Sequence, residues 1–204
     1  MSMRAPCMRL SAFVGALLLF ACGGKEAVKL PVRFDAAEAR AMLKPGSNQL
    51  VGSAVLRLSS GAVISCAGER VNLYPATAFA QAWVRALYEG EDAGAGKSPP
   101  DFAYRPNDSD PVTVIGASDF LAVSRSVPCD ADGRFEFDAV GEGDFFVIPT
   151  LAWQSQFWDE HHFFHGHQYH DRGGTVVRKV HLQGGQPSVA SFRWKLPNSR
   201  WNLW

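Results

Sequence analysis

An Asp-Gly pair set in front of a strictly alternating polar and aromatic run does most to limit how this chain folds. The stretch Cys129–Thr150 reads CDADGRFEFDAVGEGDFFVIPT. Asp132-Gly133 is a turn in which Gly sits easily at positive φ. Arg134, Phe135, Glu136, Phe137 and Asp138 then follow the two-residue period of a half-buried strand. Gly141-Glu142-Gly143-Asp144 interrupts it, and Phe145 to Thr150 is apolar again, a second strand.

The same signature recurs along the chain. Leu50 to Leu58 alternates, with Leu50, Gly52, Ala54, Leu56 and Leu58 on one side and Arg57 on the other. Glycine turns lead into Ala62–Cys66 and Arg70–Tyr74, and Pro111–Ile115 and Phe120–Val127 read as further strand material. Thr175–Leu182 and Ser188–Leu196 read as a closing strand pair joined across Gly184-Gly185. Short strands at this spacing predict a mainly β fold, a two-sheet sandwich rather than an α/β layer. Two helices accompany it. Asp35 with Glu38 three residues on marks a helix start before AAEARAML, which Pro45-Gly46 stops, and Ala80, Trp83, Val84 and Leu87 share one helical face. Residues 90–110, rich in Gly, Pro, Asp and Asn, read as a surface loop without the spacing of a P-loop.

Three of these stretches resemble the carboxypeptidase regulatory-like domains, small transthyretin-like sandwiches. They are DADGRFEF followed by a glycine turn and DFFVIPT, SGAVISCAGERVNLYPAT (Ser60–Thr77), and GGTVVRKVHLQGGQPSVASFRW (Gly173–Trp194). The chain departs from that pattern in Phe145-Phe146, where a Tyr is commoner, and in a His-rich insertion after Trp153. The resemblance implies a seven-stranded transthyretin-like or Ig-like sandwich with an accessory rather than a catalytic role. In the carboxypeptidases the zinc site lies in another domain, absent here.

The amino end carries an address. Arg4 and Arg9 precede an apolar run, Leu10–Phe20, too short to span a bilayer as a mature helix, which reads as a secretory signal. It ends Leu19-Phe20-Ala21-Cys22-Gly23-Gly24, which resembles a bacterial lipobox with Cys22 as the lipidation site. Two or more acyl chains, at about 0.8 kcal/mol per buried methylene, anchor stably where one does not. Gly23 after the cysteine, in place of Asp, points by resemblance to enterobacterial sorting toward the outer membrane, facing the periplasm. The organisation expected is a signal peptide over 1–21, a tether and short helix over 22–49, and a sandwich over 50–196 with loop insertions at 90–110 and 154–172. An aromatic tail follows over 197–204, with Trp201 and Trp204.

An exported chain sees an oxidising compartment. With Cys7 in the signal and Cys22 acylated, Cys66 and Cys129 remain and are expected to form a structural disulfide. Lys+Arg and Asp+Glu are equal at 20 each, so the basic stripe of a nucleic-acid binder is missing.

His161, His162, His165, His167 and His170 stand among Asp159, Glu160 and Asp171. Neutral imidazole suits zinc, copper or nickel, and His161 and His165 could share a helical face, or His165 and His167 an extended one. No HExxH is present, and the interleaved Phe157, Trp158, Phe163, Phe164 and Tyr169 equally suit an aromatic flap. The expected function is therefore a membrane-anchored, non-catalytic module that binds or scaffolds an envelope protein or ligand and needs no cofactor. A transition-metal-binding lipoprotein is the alternative. An enzyme ranks last, because no Ser/His/Asp set can be argued from spacing.

Overall fold

The computed structural model describes residues 26–57, 61–88, 112–158 and 167–195. Eleven strands and three short helices lie within them. A four-stranded sheet is centred on β2 (Asn48–Arg57), which pairs in parallel with β11 (Pro187–Lys195) along its whole length. On its other side β2 pairs antiparallel with β7 (Arg134–Val140) and then with β3 (Val63–Ser65). A five-stranded sheet is ordered β10 (Arg178–Leu182), β8 (Gly143–Trp158), β4 (Arg70–Pro75), β6 (Arg125–Pro128), with β9 (His167–Thr175) also on β8. Leu50, Leu56, Phe137 and Phe192 of the first sheet meet Val71, Leu73, Phe145, Val147 and Leu182 of the second in one buried core. The fold is a mainly β sandwich.

Strand β8 explains why Phe145–Thr150 is continuously apolar. Phe145, Val147 and Leu151 enter the sandwich core, whereas Phe146 and Ile148 enter a second core on the sheet's far side. A strand buried on both faces loses the alternation that a half-solvated strand shows. The second core lies under α2 (Ala78–Leu87) and α3 (Ala117–Leu121), with Phe79, Trp83 and Phe120 as its large members. Thr77 caps α2 by accepting from the Ala80 amide at 3.3 Å. Asp35 caps α1 (Ala36–Met42), accepting from the Ala37 and Glu38 amides at 2.8 and 3.1 Å.

Several expectations change. Three short helices are present among the described residues rather than two, because the first part of Phe120–Val127 is helical. Phe120 is drawn into the second core by α3, and strand resumes only at Arg125. The supposed tether contains β1 (Glu26–Val28), paired in parallel with β5 (Val112–Val114). The last two strands are not a pair. β10 joins β8 and β11 joins β2, so the Gly184-Gly185 turn crosses between sheets, both glycines at positive φ (69° and 68°). Two side chains hold that crossing: Glu142 Oε1 accepts from the Gly184 amide at 3.1 Å, and Asn48 Oδ1 from the Gly185 amide at 2.9 Å. Fully buried Asn48 also donates Nδ2 to the Val140 carbonyl at 3.2 Å, so its polar atoms are partnered.

Of the insertion expected over 154–172, residues 154–158 and 167–172 are strand. β8 runs to Trp158 and β9 starts at His167, with Trp158 opposite His167 and Thr150 opposite Thr175. β10 continues opposite β8 in the same register, Arg178 facing Val147. The pair is one long two-stranded ribbon whose lower half is a member of the sheet.

Candidate functional site

Because β2, β7 and β11 alternate in register, their outward residues fall into cross-strand rows. Ser191 lies opposite Ser53, and Ser53 opposite Arg134; next to them Val189 lies opposite Val51, and Val51 opposite Glu136. Their neighbours Phe135, Phe137, Ala190 and Phe192 are buried in the core, which fixes these rows on the outer face. Beyond the second row, Gln49 Nε2 donates to Glu136 Oε1 and, at 3.1 Å, to Asp138 Oδ1. A valine strip is thus bordered by hydroxyls and a guanidinium on one side and by an amide and carboxylates on the other. Val189 is 68% exposed. With Val127–Asp130 at its end, this face lines a shallow groove of about 720 Å³.

Gly52 sits in the middle of it. A Cβ there would fall 2.3 Å from the Phe135 ring and 2.2 Å from the Ala190 carbonyl oxygen, so the sheet closes at this point only around glycine.

The groove's end is fixed by the turn before β7. Asp130 Oδ1 accepts from the Asp132 and Arg134 amides at 2.9 and 2.8 Å, and Gly133 takes positive φ (74°). Beneath the turn Cys66 and Cys129 are disulfide-bonded, with Cα atoms 5.7 Å apart, as expected from the sequence. Cys66 follows β3 of one sheet and Cys129 follows β6 of the other, so the bond staples the two sheets along one edge. The Arg134–Asp132 pair at 3.4 Å is exposed on both sides and contributes little to stability.

A second cleft, about 510 Å³, lies between α1 and α3 and is lined by Phe34, Arg40, Leu43, Asp119 and Val123 among others. It offers one cation and one carboxylate and no cluster of hydroxyls or amides.

His181 has an organised environment. His181 Nδ1 lies 2.7 Å from Asp144 Oδ1, and Nε2 lies 3.3 Å from Gln183 Oε1. Lys179 Nζ is 3.2 Å from the other Asp144 oxygen. Both ring nitrogens therefore face acceptors, which suits the doubly protonated imidazolium. The bond to Asp144 foremost, then that to Gln183, raises the His181 pKa, and His181 foremost lowers that of Asp144. With Asp144 on Nδ1 and Gln183 on Nε2, His181 and Asp144 form an ion pair. The stability that His181 contributes is present below the ordinary histidine value and lost as pH rises through its raised pKa. That of Asp144 is present above the ordinary carboxylate value and lost as pH falls through its lowered pKa. In an NMR titration His181 is expected to titrate above about 6.5, and Asp144→Asn to bring the midpoint down. An unchanged midpoint would contradict the pairing. His181 faces solvent, with 58% of its side chain exposed.

Of the residues singled out in the sequence, the structure brings together Cys66 and Cys129. Cys22, His161, His162 and His165, the loop 90–110 and the tail 197–204 lie outside the described residues. His167 and His170 belong to β9, opposite Trp158 and Ser155 in the backbone register. Among the described residues, no three His, Cys, Asp or Glu side chains converge as a metal site would need. Sequence reading missed Gln49, Ser53, Glu136 and Ser191 as a group. Their signal was the alternation itself, which marks the outward positions but not which strands adjoin.

No family model and no curated protein matches the sequence. Among solved structures the chain is similar to the crystal structure of a candidate carbohydrate-binding protein from Pseudomonas aeruginosa. The TM-score is 0.56 and the identity 24%, over 80% of this chain and 99% of that one. At that identity the likeness shows the fold: the sandwich architecture is shared along nearly the whole of the other protein.

Proposed function

We propose that this chain is a lipid-anchored binding module of the cell envelope, non-catalytic, which holds a saccharide on the outer face of its four-stranded sheet. It is acylated at Cys22 and built on a sandwich of the carboxypeptidase regulatory kind. One observation carries the ligand class. The Val51–Val189 strip lies between a Ser191–Ser53–Arg134 row and the Gln49, Glu136 and Asp138 group. A sugar ring has the matching character, apolar C–H faces bordered by hydroxyls that both donate and accept. The naming of the Pseudomonas protein as a candidate carbohydrate binder supports the same reading. The leader and lipobox support export and placement in the outer membrane, facing the periplasm. A hydroxyl-rich uncharged ligand also suits a chain that is near neutral from Cys22 onward, since removal of the leader takes away only Arg4 and Arg9 among the charged residues.

A second reading, a zinc, copper or nickel site, draws support from the ribbon. Trp158 and His167 are cross-strand partners, so the segment that holds His161, His162 and His165 joins adjacent strand ends, with His167 and His170 starting β9.

One experiment addresses both. The chain from Gly23 onward is titrated calorimetrically with envelope oligosaccharides, with and without EDTA. Losing a hydrogen bond to a charged group costs about 1.5–3 kcal/mol, so Glu136→Ala or Arg134→Ala is expected to weaken binding roughly ten- to hundredfold. Binding that ignores both substitutions would remove the ligand from this face. Binding abolished by EDTA and restored by zinc would favour the histidine segment.

A further inference from the structure

We infer that the end of the molecule formed by β1, β5 and α3 lies against the bilayer, with Val32, Ile115 and Leu121 entering the headgroup layer. This rests on the acylation of Cys22 proposed above and adds an orientation to it. β1 begins at Glu26, four residues after Cys22. Four Cα steps span at most about 14 Å even when fully extended, so an acylated Cys22 keeps β1 close to the membrane surface.

What β1 brings with it is apolar and fixed. The Ile115 amide donates to the Val28 carbonyl at 2.9 Å, placing Ile115 at the end of β1, and α3 starts two residues later. Leu30 and Phe34 pack against the aromatic core, with the Phe34 ring 5.7 Å from that of Phe120, so Val32 lies on a short segment bound down at both sides. Val32, Ile115 and Leu121 are 36%, 55% and 43% exposed, and they are three of the five exposed large hydrophobic residues among those described. The other two, Val63 and Val189, belong to β3 and β11 of the four-stranded sheet.

Charge agrees with a lipid surface. Between Cys22 and Phe34 stand Lys25, Lys29 and Arg33 against Glu26 alone, an excess that favours anionic headgroups; Asp35, next in sequence, and Asp119 on α3 are opposing carboxylates. Apolar side chains combined with an acyl anchor supply two independent membrane signals. The saccharide face, on the other sheet of the sandwich, does not take part in this contact.

The test uses the full acylated chain in vesicles of phosphatidylethanolamine and phosphatidylglycerol. With Cys66 and Cys129 bonded and Cys22 acylated, a new cysteine is the free thiol for an environment-sensitive fluorophore. Probes at Ile115→Cys and Leu121→Cys are expected to shift to the blue. Lipid-borne nitroxide should quench them severalfold more than probes at Val63→Cys and Val189→Cys. Palmitate labelling, lost in Cys22→Ala, checks the anchor separately. An acylated, vesicle-bound chain whose probes at 115 and 121 are quenched no more than those at 63 and 189 overturns the orientation and leaves the anchor standing. Absence of labelling overturns both.

Discussion

Replacing Phe120 with Ala is expected to cost about 3–5 kcal/mol, the range for deleting a buried aromatic side chain. Its ring is 1% exposed and stands 4.9 Å from Tyr74, 5.3 Å from Trp83, 5.4 Å from Phe79 and 5.7 Å from Phe34, centroid to centroid. Each such pair is worth about 0.5–1.5 kcal/mol beyond its buried area, so one truncation removes several contacts at once. The helix that carries the ring has little else to hold it. α3 spans five residues, its N-cap Gly116 makes no side-chain capping bond, and only Ala117 and Phe120 of it are buried. A five-residue helix is far too short to be stable by itself. Urea unfolding should show the loss, and hydrogen exchange should speed first across residues 112–124. Leu121→Ala, next to it but 43% exposed, is expected to change stability by no more than about 0.5 kcal/mol. A Phe120→Ala variant within 1 kcal/mol of the parent would mean that the second core is not a cooperative part of the fold.

Removing the disulfide is expected to cost a similar amount through different physics. Cys66 and Cys129 are 63 residues apart in sequence, and closing a loop of that length restricts the unfolded chain by about 4 kcal/mol on the chain-entropy estimate. Reduction should therefore lower the urea midpoint, and Cys66→Ser with Cys129→Ser should do the same without a reductant. The site adds to the expectation. Cys66 is fully buried and Cys129 is 5% exposed, between the edges of two sheets that no other disulfide joins among the described residues. Two serine hydroxyls there would need partners. A fall of under 1 kcal/mol would indicate that the unfolded chain is already compact in this region.

How much could be read in advance depended on whether a residue's surroundings are local. The Asp132-Gly133 turn and the Arg134–Asp138 alternation are set by a few adjacent side chains, and both are found where the sequence puts them. The α2 face, with Ala80, Trp83 and Val84 buried, is equally local. The Gly184-Gly185 turn misled because a hairpin and a crossing between sheets need the same two glycines. What separates them is Asn48, 137 residues away, whose carboxamide takes the Gly185 amide. Phe120 misled in another way. Its apolar neighbours suit a strand, and only the rings of Tyr74, Phe79 and Trp83, from distant parts of the chain, fold it into a helix. The outer-face rows were hidden for the same reason. Ser53, Glu136 and Ser191 are ordinary outward strand residues until the parallel β2–β11 pairing sets them side by side.

The most direct measurement is a saccharide titration of the isotope-labelled chain from Gly23 onward, followed residue by residue by NMR. Shift changes should concentrate at Val51, Ser53, Arg134, Glu136, Val189 and Ser191, and Asp144 and His181 on the other sheet should stay still. Envelope oligosaccharides that leave these six amides unmoved, or that move residues only outside the four-stranded sheet, would contradict the proposed site.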